Sequence, residues 1–236
     1  MESLPESIQK LIKLIEAKDY IDNSMVKEYL LEANIKKSDL QQFATFDHPV
    51  NESYGRRPIY DNGNFKIVIV TWNPGDFSAI HSHGYVDWGI IRYFGEGQRN
   101  VYHLEDDLIS MIASDIMANG SYEEITSDLI HQTGNNSDEP IFTLHVYGSN
   151  RKENNIMDDT EVFDIVRNKT HFTDGTAFLN LASNLIARTD KCPHPDKDTF
   201  FYNCILELQY FNRQEYCKNI KDNIDYILNN MSDYYI

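Results

Sequence analysis

The sequence predicts a mainly β protein, an antiparallel barrel or sandwich with helices at both ends. Short runs of β-branched and aromatic residues follow one another from Tyr54 to Tyr147, broken by Gly, Asn, Asp and Ser. That is the pattern of many short strands joined by turns. No long helical run separates them, which favours antiparallel pairing over parallel βαβ units. Helical spacing is confined to the two ends of the 236-residue chain.

Taken in order, Ser3 and Glu6 form a capping-box pattern, and Ile8, Leu11, Ile12 and Ile15 then fall on one helical face. A second helix is expected after Ser24 and a shorter one after Ser38, and Asp47-His48-Pro49 ends the helical region. Strands are expected over Phe65 to Trp72, Val86 to Phe94, Asn100 to Leu104, Tyr122 to Ile125 and Ile141 to Tyr147. From Thr176, the spacing of Ala177, Leu179, Leu181 and Leu185 reads as helix, followed by a Tyr-rich helical segment from Phe200 to Leu228. The expected division is residues 1–50 as N-terminal helices, 51–175 as the β-barrel and 176–236 as a C-terminal helical extension packed on it.

Charge narrows the function. With 21 Lys+Arg against 37 Asp+Glu the chain carries a formal −16, and no basic cluster suits a phosphate backbone, so nucleic acid is not an expected partner. Anionic membranes are disfavoured for the same reason, and no apolar run approaches the roughly 18 residues of a spanning helix. The start, Met1 to Glu6, lacks the features of a secretory signal, so the expected location is the cytoplasm. Cys192, Cys204 and Cys217 show no metal-ribbon or disulfide spacing and read as free buried thiols.

The chemistry concentrates in histidines. His81-Ser82-His83 is expected on one strand, where residues two apart share a face and can reach one ion. Pro74-Gly75 provides a turn six residues before His81, giving Gx5HxH, and His131 followed by Asn135 gives Hx3N, a third ligand from another strand. This order resembles the two motifs of the cupins, although the second lacks their PxG. Tyr54-Gly55-Arg56, then Asn64-Phe65, Thr71-Trp72-Asn73-Pro74-Gly75 and Ile80-His81-Ser82-His83, with Thr143-Leu144-His145-Val146-Tyr147 downstream, resembles the cysteine dioxygenase family, including its bacterial mercaptopropionate branch. The resemblance runs from about Tyr54 to Gly148.

The resemblance implies a cupin-type antiparallel β-barrel, a double-stranded β-helix or jelly roll with N-terminal and C-terminal helices. It also implies a non-haem Fe(II) held by His81, His83 and His131, and an oxidoreductase: a dioxygenase that turns a small thiol into its sulfinate with O2. Three neutral nitrogens leave the full charge on iron, which favours a thiolate partner, and a facial set leaves open positions for substrate and O2. Arg56 matches the residue that grips the substrate carboxylate, a role its planar fork suits; Arg57 is the alternative should the register slip by one. Tyr147 and His145 match the outer-shell pair, with Thr143 in place of the usual serine. Animal members place a cysteine five residues after the second ligand and link it to the tyrosine. That position is Trp88 here, followed by Gly89, and no cysteine precedes Cys192, as in bacterial relatives.

Other readings stay open at this level. Asp87 stands near where ordinary cupins place a fourth, carboxylate ligand, which would suit another metal cupin enzyme, a non-thiol dioxygenase or an isomerase. A non-catalytic cupin that binds a ligand is a further alternative. His48, His103, His171 and His194 sit in no ligand pattern, and Trp72 and Trp88 read as core. The expected partners are a small thiol and O2, with no obligatory protein partner.

Overall fold

The computed structural model describes residues 3–151, 155–215 and 217–234. Three helices open it: α1 (Glu6–Glu16), α2 (Asn23–Ala33) and α3 (Lys37–Leu40). The face predicted for α1, Ile8, Leu11, Ile12 and Ile15, is the buried one. The capping box is not formed: Pro5 occupies the N-cap with no side-chain bond, and its carbonyl accepts from Gln9 N at 3.0 Å. Proline tolerates this boundary because a helix start leaves its N–H groups unpaired anyway. Helix α2 is capped by the Asp22 carboxylate, which accepts from Met25 N at 2.9 Å.

The strands are β1 (Gly55–Asp61), β2 (Phe65–Trp72), β3 (Ile80–His81), β4 (Trp88–Phe94), β5 (Gly97–Glu105), β6 (Leu108–Met117), β7 (Tyr122–Ile125), β8 (Ile130–Gly134), β9 (Ile141–Gly148), β10 (Thr160–Asp164), β11 (Lys169–Thr173), β12 (Arg188–Lys191) and β13 (His194–Pro195). They form a five-stranded sheet, β1-β2-β9-β4-β7, and an eight-stranded sheet, β12-β11-β10-β3-β8-β5-β6-β13. Every named pairing is antiparallel except β13 with β6. The mainly β, curled-sheet, cupin-type architecture expected from the sequence is the one found.

Alternation along the five-stranded sheet makes it two-faced. On β2, Phe65, Ile67 and Ile69 pack with Phe142, Leu144 and Val146 of β9 against α1 and α2. The alternate residues Val68, Val70 and Trp72 face the barrel interior, where Tyr54 and Phe178 join them. All eight residues of β9 are buried, because helices cover one face and the interior claims the other. Each fully buried aliphatic side chain contributes about 1.5–3 kcal/mol to this arrangement.

The C-terminal region departs from expectation. Ala177, Leu179 and Leu181 are not helical and Leu185 ends only a short 3-10 turn, Ser183–Leu185, in an otherwise irregular stretch; β12 then joins the eight-stranded sheet beside β11. Helix begins only at α4 (Lys197–Asn212), capped by Asp196 accepting from Thr199 N at 2.7 Å, and resumes at α5 (Lys218–Asp233). Phe200, Cys204, Leu206 and Phe211 of α4 pack on Val162 and Phe163 of β10. Cys192 and Cys204 are buried as expected, whereas Cys217 is exposed. No described helix is long and apolar enough to cross a membrane.

Candidate metal centre

The chain turns at Gly75 (φ +80°), where Gly75 N donates to the Asn135 carbonyl and Asn135 N to the Asp76 carbonyl, both at 2.8 Å. The asparagine of Hx3N is therefore a tie between the two motifs: its side chain donates to the Trp72 and Glu139 carbonyls. Beyond this turn, β3 is only two residues long, and His81 lies directly opposite His131 of β8. Opposed residues of an antiparallel pair share a face, so both rings enter the interior. His83 lies past the end of β3 rather than on it, and its ring still converges on the other two.

The three rings stand 4.7–5.1 Å apart centroid to centroid, each tilted 53–54° to the next, and their candidate donor atoms all lie within 4.8 Å of one another. His83 Nε2 and His131 Nε2 are 3.1 Å apart. Two nitrogens at right angles about a metal, with bonds of about 2.0–2.1 Å, lie about 3 Å apart. Hydrogen bonds behind the rings set their tautomers. His81 Nδ1 donates to the Ala79 carbonyl at 2.9 Å, and His131 Nδ1 donates to the buried Glu123 carboxylate at 2.7 Å, so each presents a bare Nε2 to the centre. Tyr93 Oη holds the other Glu123 oxygen at 2.9 Å. His83 Nδ1 lacks a well-formed partner, although the Leu129 carbonyl faces the ring. Burial, then the charge of neighbouring His131, pushes the His81 pKa down to about 3 and holds His83 well below the usual imidazole value. Three imidazoles converging through their ring nitrogens are a donor set that a divalent transition ion fits once it displaces any ring proton.

Thr143, His145 and Tyr147 of β9 face the centre from the opposite sheet. Trp72 Nε1 donates to Thr143 Oγ1 at 3.0 Å, Thr143 Oγ1 meets His145 Nε2 at 2.7 Å, and His145 Nδ1 meets Tyr147 Oη. An indole N–H can only donate. Among the described residues Thr143 Oγ1 has no other acceptor for its own hydrogen, which therefore goes to His145 Nε2; a neutral His145 then donates from Nδ1 to the phenol oxygen, and the phenol hydrogen is left for the cavity. Burial raises the Tyr147 pKa well above 10 and lowers that of His145 well below 6.5. The phenol stays protonated and the imidazole neutral.

Register separates the two arginines. Arg56 lies opposite Val70, whose side chain faces the interior, and Arg57 lies opposite Ile69, which faces the helices. Arg56 Nη1 donates to Thr176 Oγ1 at 3.2 Å, while Arg57 sits over the Phe43 ring and donates to the Gln42 carbonyl. A cavity of about 40 Å3 is lined by Tyr54, Arg56, Val68, Val70, Trp72, Ser78, His81, His83, His131, Thr133, His145, Tyr147, Met157 and Gly175. Among the described residues, Arg56 is its one charged lining group apart from the histidines.

Asp87 and Trp88 both lie outside the three-histidine centre. Asp87 accepts from Ser149 Oγ, Asn150 N and Arg151 Nη2 at 2.8–2.9 Å and belongs to that surface network, not to the three-histidine group. Trp88 points outward, packing with Phe65, and it is Gly89 that lies opposite Tyr147. A Cβ at Gly89 would come within 2.7 Å of Tyr147 Cδ1. Glu123, Met157 and Thr176 were not singled out from the sequence. For Glu123 a signal existed: it sits two residues before inward-facing Ile125 on a predicted strand, an acid on a buried face.

The family model described as cysteine dioxygenase type I matches residues 2–155. Among solved structures, TT1209 from Thermus thermophilus is 19% identical, with a TM-score of 0.39 over 49% of this chain and 96% of that one. Recombinant oxalate oxidase in complex with glycolate is 14% identical, with a TM-score of 0.38 over 47% and 57%. The SPY1581 protein of unknown function from Streptococcus pyogenes is 14% identical, with a TM-score of 0.36 over 49% and 91%.

Proposed function

Because this chain belongs to the cysteine dioxygenase type I family, whose model spans residues 2–155, we propose that it is an Fe(II)-dependent thiol dioxygenase that oxidises a small carboxylate-bearing thiol to its sulfinate. The observation carrying this reading is one cavity with three converging imidazoles on one side and Arg56 and the Tyr147 hydroxyl on the other. His81, His83 and His131 would hold the iron. When bound, Fe(II) supplies a positive charge that favours thiolate over thiol and a route for electrons from sulfur to O2. The overall change, RSH + O2 → RSO2− + H+, takes four electrons from sulfur and gives them to the two oxygen atoms, so no external reductant is required.

The chain's own residues handle the rest. Arg56 pairs with the carboxylate through its fork of N–H groups. Among the described residues no acidic side chain lines the cavity, so a substrate ammonium finds no counter-charge there, and mercaptocarboxylates fit better than amino acids. Tyr147 donates to the reacting end of the substrate, held in place by His145, Thr143 and Trp72. Gly89 beside the phenol, with no cysteine before Cys192, supports the bacterial, mercaptopropionate-type branch. In this reading the N-terminal helices (1–50) and the C-terminal extension (176–236) serve the barrel (51–175) as one catalytic unit. The enzyme needs only a thiol and O2, with no nucleic acid, membrane or protein partner, and works in the cytoplasm, where thiols stay reduced.

The test is O2 uptake by the anaerobically prepared, Fe(II)-loaded protein with 3-mercaptopropionate, cysteine and other small thiols. The expected product gains two oxygen atoms on sulfur, fastest with a mercaptocarboxylate. Iron binding without turnover across the panel would instead favour a ligand-binding cupin.

A further inference from the structure

Residues 174–179 lie beyond the stretch that the family model matches, yet they touch both halves of the site. On one side they hold the arm that precedes and begins β1. Thr176 Oγ1 accepts from Arg56 Nη1 at 3.2 Å, Ala177 N donates to Tyr54 Oη at 3.0 Å, and Leu179 N donates to Ser53 Oγ at 3.0 Å. On the other side they hold the strand that delivers the first histidine. Ala79 N donates to the Ala177 carbonyl at 2.8 Å, and Ser78 bridges Phe178. Ala79 is also the residue whose carbonyl orients His81.

The segment is fixed within itself. Thr173 Oγ1 donates to the Thr176 carbonyl at 2.9 Å and accepts from Gly175 N at 3.2 Å. Thr176 is buried, and its hydroxyl accepts from Arg56 while pointing its own hydrogen at Asp174 Oδ1, 3.4 Å away. Among the described residues no carboxylate forms an ion pair with Arg56, so a neutral hydroxyl aims the guanidinium without neutralising it. The charge is left for a ligand.

We propose that this strap sets substrate length. By tying Tyr54 and Arg56 to Ala79 it fixes the gap between guanidinium and imidazoles, and so selects the number of carbons between thiol and carboxylate. Thr176 is the positioning residue, acting through Arg56. The inference rests on the thiol dioxygenase reading above.

The test uses the full chain and compares Thr176→Val, which keeps the shape but loses the acceptor, with Thr176→Ser, which keeps it. Substrates are the mercaptocarboxylates of two, three and four carbons, and cysteamine, which has no carboxylate. The unaltered protein is expected to prefer one length by at least about tenfold in kcat/KM, the scale on which a pocket discriminates one methylene. Thr176→Val should raise KM for the preferred acid about tenfold, as for loss of one charge-assisted hydrogen bond, with kcat within about twofold. It should also flatten the length preference and leave cysteamine unchanged. Thr176→Ser should recover the original pattern.

Anaerobic calorimetry with 3-mercaptopropionate gives a second readout, with the same loss of affinity expected in Thr176→Val and its recovery in Thr176→Ser. The inference is overturned if Thr176→Val leaves both KM and length preference unchanged, or shifts cysteamine as much as the acids. Absence of O2 uptake by the unaltered protein with every thiol would instead defeat the dioxygenase reading, and calorimetry would still report whether Thr176 governs carboxylate binding.

Discussion

The two sheets meet the same cavity with opposite hydrogen-bond polarity. On the eight-stranded side, His81 and His131 direct their Nδ1 hydrogens backward, to the Ala79 carbonyl and to Glu123, and leave lone pairs facing inward. On the five-stranded side the relay starts from the Trp72 N–H, which can only donate, and ends with the Tyr147 hydroxyl, while Arg56 adds a second donor. One wall suits a cation and the other an anion. The proposed substrate, a thiol that also carries a carboxylate, calls for both: a cation site for its sulfur and donors for its carboxylate. The backing groups carry the lesson: each wall's polarity is set one residue behind the face that meets the ligand.

Removing the donor wall's charge should have the largest effect. Arg56→Ala is expected to raise KM for mercaptocarboxylates about a hundredfold, as for a lost two-pronged charge-assisted contact, with little change for cysteamine; steady-state O2 uptake on both substrates checks it. Behind the lone-pair wall, Glu123→Gln weakens the hold on the His131 tautomer and should lower iron affinity about 10–100-fold. Metal content after dialysis against a graded chelator measures that. Gly89→Ala puts a methyl against the Tyr147 ring and should cut kcat about tenfold with iron content unchanged, so a loss of iron instead would mean that the two walls are not independent.

The smallest effect should come from outside both walls, where His48 Nε2 pairs with the buried Asp76 carboxylate at 3.0 Å. That carboxylate raises the His48 pKa above its ordinary 6.5. A raised value stabilises the fold below the unfolded pKa, and the contribution fades as pH rises through the folded one. His48→Gln should therefore cost about 1 kcal/mol at pH 5.5 and much less at pH 8, as chemical denaturation at the two pH values would show.

Local pattern was enough for part of this. Phe65–Trp72 and Tyr122–Ile125 have the limits read from the sequence because their apolar runs end sharply in Asn, Gly, Ser or Thr. The HxH spacing and His131 were legible for the same reason, as ligands carried on short segments. Strand β6 was not, since Ser110, Ser114 and Asp115 interrupt a strand with only the two-residue β13 beyond it and less apolar surface to bury. Ala177, Leu179 and Leu181 alternate by two as well as matching a helical face, and bonds to Ser53, Tyr54 and Ala79 hold Ala177 and Leu179 out of a helix. The Arg56 to Thr176 contact spans 120 residues, and no periodicity reports on such a distance. That Gly89, and not Trp88, lies opposite Tyr147 likewise needed the strand register.

The central claim is that His81, His83 and His131 close on a single ferrous ion, and an anaerobic crystal structure of the iron-loaded protein, with anomalous scattering recorded across the iron edge, tests it most directly. One iron peak within bonding distance of all three Nε2 atoms is expected, with Asp87 still bound to Ser149 and Arg151. Iron located elsewhere, or three histidine rings that leave the ion to Asp87 or to solvent, would contradict it.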